Sequence, residues 1–91
     1  MHHEEEISEG GTFTVTGRDS IVFKLPSHHR PRHVFVDFDG SYPPVTCNPH
    51  QHDRLEWNVE DVSHHGFRHR FELFIEWHVS GVRKIRWYVK E

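Results

Sequence analysis

Alanine is missing from the 91 residues altogether, leucine occurs three times and cysteine once. Without alanine and with so little leucine, the chain lacks the residues that build helices most readily. A single cysteine, Cys47, excludes a disulfide within the chain. No run of about 18 apolar residues offers a membrane-spanning helix, so no membrane partner is expected. The N-terminus, Met1-His2-His3-Glu4-Glu5-Glu6, has neither the basic start nor the apolar stretch of a secretory signal, and the expected compartment is the cytosol. A chain of 10.9 kDa has room for one domain.

What is there favours strands. Ten valines, seven phenylalanines, four isoleucines and three tryptophans make up most of the apolar set, and β-branched and aromatic side chains fit a pleated, half-buried surface. The expectation is an all-β fold. Eleven histidines are the second feature; protonating all of them would carry the formal charge from -3 to +8, so the electrostatics should change between about pH 5 and 7.

Residues 1–11 carry only Ile7 as a large apolar residue besides Met1 and read as a flexible lead-in; residues 12–91 read as a single domain. Apolar residues then alternate with polar ones at Phe13 and Val15, at Ile21, Phe23 and Leu25, and at Val34, Val36 and Phe38. They alternate again at Leu55, Trp57 and Val59, at Phe71 through Val79, and at Ile85, Trp87 and Val89. Gly17-Arg18-Asp19 reads as a turn, residues 26–32 as a connection, and 40–52, with Pro43, Pro44 and Pro49, as a loop with room for a short edge strand near Val45-Thr46-Cys47. Together these predict a small antiparallel β-sandwich of six to seven strands with its tryptophans in the core. In number and spacing of strands, residues 12–91 resemble an immunoglobulin-like or fibronectin-type sandwich, without the paired cysteines of antibody domains. That resemblance implies architecture and no function.

Registers follow from the pattern. A three-residue loop at Ser80-Gly81-Val82 opposes Trp77 to Ile85 and Ile75 to Trp87 on one face, and Glu76 to Arg86, Glu72 to Lys90, Phe74 to Tyr88 and His78 to Lys84 on the other. A hairpin of 54–60 with 70–76 that pairs Val59 with Phe71 sets Glu60 against Arg70 and Arg54 against Glu76. Shifting it by two opposes glutamates, which cross-strand energetics disfavour.

The densest chemistry lies in Cys47-Asn48-Pro49-His50-Gln51-His52, where one thiol and two imidazoles could take zinc or copper. Cys47 to Gln51 resembles the copper-ligand loop of plastocyanin-type cupredoxins, which implies copper held by Cys47 and His50; Leu55 stands where the axial methionine would fall, and the sole methionine is Met1. His50-Gln51-His52 with Glu56 is similar to the first short motif of cupins, whose second motif does not follow. A Cys47–His50 nucleophile lacks an oxyanion site. No phosphate loop, dinucleotide fingerprint or serine elbow is present, and the chain is expected to be no enzyme. Asp37 and Asp39, two apart, could meet a cation or simply form a soluble face.

Arg83 to Lys90 interleaves cations with aromatics, as nucleic-acid binding requires, but the register sets those cations against glutamates and the protein is mildly acidic, which disfavours that partner. What remains is an aromatic centre with a charged rim. Phe74, Tyr88 and Phe35 face outward with Arg86 and Glu76 beside them, the anatomy of a protein interface. The functional expectation is a structural or assembly module that binds another protein or itself.

Overall fold

The computed structural model describes residues 2–6, 10–25, 31, 33–41, 52–63 and 70–90. Among them are five strands and no helix: β1 (His2–Glu6), β2 (Gly10–Leu25), β3 (His33–Phe38), β4 (Arg54–Asp61) and β5 (Phe71–Lys90). The all-β expectation is met. The strand count is lower than the alternation predicts because the two glycine turns are not turns. β2 continues through Gly17 as one strand, β5 continues through Ser80 and Gly81, and the two pair antiparallel from Gly10↔Tyr88 to Leu25↔Phe71.

Midway, the register slips. Thr16 pairs with Val82 and Arg18 with His78, leaving Gly17 alone on one strand against Val79, Ser80 and Gly81 on the other. Gly17 has φ 63° and Gly81 φ 86°, the left-handed region that L side chains avoid. A positive φ serves a bulge as well as a hairpin, so the turn expected at Gly17-Arg18-Asp19 and the loop expected at Ser80-Gly81-Val82 are instead a register slip inside two continuous strands.

The bulge lets both long strands double back. Phe13 and Phe23 stand ten residues apart in β2, roughly 33 Å along a straight strand, yet their ring centroids are 5.8 Å apart. Phe13 also meets Trp77 at 5.7 Å, and Phe23 meets Trp87 at 4.9 Å. One sheet is therefore folded across itself, enclosing odd-numbered side chains of β2 and β5 and even-numbered ones of β3. The core includes Val15, Ile21, Phe23, Val36, Leu73, Ile75, Trp77, Ile85 and Trp87. Trp77 ties the bend by donating its indole N–H to the Thr16 carbonyl at 3.2 Å.

This folding explains β1. It pairs parallel with Ser20–Lys24 of β2 although only three residues separate Glu6 from Gly10, where a parallel neighbour ordinarily needs a crossover of a dozen or more. The doubled-back half of β2 is the crossover. On the far side of β5, β3 lies along Ile85–Lys90 and β4 along Phe71–His78, so the two occupy opposite layers.

The hairpin registers fall with the turns. Glu76 faces Ser20 and Glu56 rather than Arg86; Glu72 faces Lys24 and Glu60 rather than Lys90; His78 faces Arg18 and Arg54 rather than Lys84. β4 takes the register that opposes glutamates twice, with Val59 opposite Leu73. The reason lies at its start. The Asp53 carboxylate, its side chain 3% exposed, binds Arg83 Nη1 at 2.8 Å and accepts from the N–H and hydroxyl of Ser80 at 3.0 and 3.2 Å. A register two residues away would carry Asp53 out of reach of both. A buried charge pair outweighs exposed like-charge contacts worth a few tenths of a kcal/mol.

Candidate functional site

β3 and the C-terminal half of β5 present the outer face of one layer, because even positions of β5 and odd positions of β3 point away from the core. Here Phe35 pairs with Tyr88, and their rings stack at 4.7 Å with planes 20° apart. Both are large apolar groups left in solvent, 45% and 49% exposed. The His33 imidazole continues the stack, 6.0 Å from Phe35. One row along, Arg86 pairs with Asp37, its Nε and Nη2 donating to the two carboxylate oxygens at 2.6 and 3.3 Å. Phe35, Tyr88, Asp37 and Arg86 bound a hollow of about 450 Å³.

The strand on the other side of Tyr88 contributes Gly10. A methyl group there would lie 2.8 Å from Tyr88 Cβ and 2.5 Å from the Trp87 carbonyl oxygen, so β2 approaches β5 this closely only at glycine. The hydrogen bond that Arg86 donates to Asp37, and then the charge of that carboxylate, raises the Arg86 pKa. Asp39 accepts from the Ser41 hydroxyl at 2.6 Å and N–H at 2.9 Å, which lower its pKa. The two carboxylates are thus spent on a guanidinium and on a turn, and do not converge on a cation.

Of the expected interface residues, Phe35, Tyr88 and Arg86 come together. Phe74 and Glu76 do not: they belong to the other half of β5, on the outer face of the opposite layer, with Phe74 half-buried between Val22 and Asn58. Asp37 and His33 complete the patch and were missed as members because β3 had no assigned neighbour in sequence; alternation alone places them on the face of Phe35. Trp57, expected in the core, is 44% exposed on β4. Arg83, counted among the basic residues, is buried against Asp53 with its guanidinium 4.0 Å over the Phe38 ring. Cys47 and His50 lie outside the described residues; His52 is exposed in the turn before β4, and no group of three or more metal-ligating side chains occurs among the described residues. A second hollow, about 500 Å³, lies on the opposite outer face between Arg18, Arg54, Glu56, Glu76 and His78.

No family model, no curated protein and no solved structure matches this chain.

Proposed function

We propose that this is a non-enzymatic contact module of the cytosol, a small β-sandwich that takes part in assembly through the outer face of β3 and β5. The observation that carries the reading is the Phe35–Tyr88 stack. Two aromatic rings, each nearly half exposed, are held together at 4.7 Å beside a two-point Asp37–Arg86 pair. Aromatic anchors next to arginine are the groups that dominate protein interfaces, and a stacked, paired patch loses little freedom on binding. An immunoglobulin-like count is supported in one respect: β2 and β5 each supply a segment to both layers, so the five strands give seven segments, four in one layer and three in the other.

Replacing Tyr88, Phe35 or Phe74 in turn by a photo-crosslinking phenylalanine in the source cells tests the assignment. Adducts from positions 88 and 35 and none from 74 are expected. Equal labelling at all three positions, or labelling at 74 alone, removes it. Truncating Phe35 and Tyr88 to Ser should weaken association by about 1–2 kcal/mol each while leaving the circular dichroism spectrum unchanged.

A further inference from the structure

The contact face ends at a sheet edge. β3 is the last strand of its layer, and among the described residues no strand pairs with its outer side. The ladder fixes which of its backbone groups are involved. The Asp39 N–H donates to the Lys84 carbonyl at 2.8 Å, continuing the register in which Phe38 faces Ile85. Hydrogen-bonded pairs alternate along an antiparallel ladder. The odd residues from His33 to Asp39 therefore bond to β5, while Val34, Val36 and Phe38 direct their N–H and C=O groups to the edge.

The edge carries a sequence that complements itself. His33-Val34-Phe35-Val36-Asp37 reads basic, apolar, aromatic, apolar, acidic. Laid antiparallel on a second copy with Phe35 at the two-fold axis, it opposes Val34 to Val36 twice and His33 to Asp37 twice, and sets the two Phe35 rings together. Moving the axis to Val34 sets Asp37 against Pro31, and moving it to Val36 lays Phe35 against Asp37, so only the register centred on Phe35 keeps both the apolar pairs and the two His33–Asp37 pairs. In that register the Phe35 pair is a non-hydrogen-bonded one, the kind whose side chains approach most closely. The Val34 and Val36 groups form the hydrogen bonds.

We propose that the partner of this face is a second copy of the same chain, joined through β3 edges so that one layer runs continuously across the dimer. This rests on the assignment of the β3–β5 face as the contact surface and names its occupant. The Tyr88–Phe35 stack would run through the axis into Phe35 and Tyr88 of the second copy, and each Asp37 would stand between its own Arg86 and the His33 opposite. Edge strands ordinarily resist such pairing with a lysine, a proline or a bulge; β3 has none of these between His33 and Phe38.

Sedimentation velocity across about 5 to 500 µM tests it. The parent chain should shift with concentration toward twice 10.9 kDa. Phe35→Lys and Phe35→Glu, at an exposed position, should each stay monomeric, since like charges meet at the axis, and an equimolar mixture of the two should recover the dimer. Val34→Pro, which deletes an edge-facing N–H, serves as the check where a charged variant folds poorly. In the parent, exchange of the Val34 and Val36 amides should slow at least tenfold as concentration rises. A parent that stays monomeric throughout, a dimer that survives Phe35→Lys, or a mixture that stays monomeric each overturns self-pairing. Crosslinks from Tyr88 to a different protein in that case would leave the contact face standing and replace only its occupant.

Discussion

At Asp53 two effects oppose each other. Burial pushes the carboxyl up, and hydrogen bonds from the Ser80 N–H, the Arg83 guanidinium and the Ser80 hydroxyl outweigh it, so the pKa lies below the ordinary carboxylate value. A group depressed on folding contributes stability that is complete above its unfolded pKa, near 4, and is lost as pH falls through the folded value. Melting temperature should therefore drop below about pH 4, and Asp53→Asn should flatten that part of the profile. The same substitution leaves Arg83 buried without its counter-charge and should cost roughly 3–5 kcal/mol at pH 7, read by urea unfolding. Gly17 and Gly81 make a different residue-scale claim. A Cβ meets nothing within 4 Å at either position, so alanine is opposed only by the positive φ, about 1–2 kcal/mol each. A loss well above that would mean the bend depends on more than backbone freedom.

The informative elements are β2 and β5, each of which serves both layers. Phe23 joins the layers through Phe13 and Trp87, so Phe23→Ala should cost about 3–5 kcal/mol. Trp57, exposed on β4, should cost far less when truncated, on the order of 0.5 kcal/mol, despite its larger ring. Comparable losses for the two would contradict the placement of β4. Apolar alternation gave the strand faces at this scale: every odd residue expected inward between Phe71 and Val79 is buried. Partners were another matter. Two residues of slip separate the charge-matched register of β4 from the real one, and exposed charge pairs contribute too little to choose between them.

For the whole molecule, the pairing of residues 10–25 with 71–90 means that the central contacts join distant parts of the chain. Such topologies fold slowly, in milliseconds to seconds, because loop closure comes before the reward of pairing. Stopped-flow refolding should show a relaxation in that range, and a microsecond phase carrying the full amplitude would be inconsistent with it. Hydrogen exchange should be slowest in β5, the only described strand flanked by neighbours along both of its halves.

Composition and period-2 alternation, both local, by themselves determined the strand-rich character of this protein, the inward set from Phe71 to Val79, and the outward set of Phe35, Tyr88 and Arg86. Only the tertiary structure decided that Gly17 and Gly81 bend two continuous strands instead of ending four, since a left-handed glycine satisfies either geometry and the choice depends on a partner some sixty residues away. That choice moved Phe74 and Glu76 to the far side of the molecule from Phe35 and Tyr88, while the pairing of β3 with β5 set Asp37 beside Arg86 and His33 at the end of the Phe35–Tyr88 stack. The physical reason is range: side-chain direction is set by the residue's own backbone, whereas a neighbour is set by whichever strand the folded chain lays alongside.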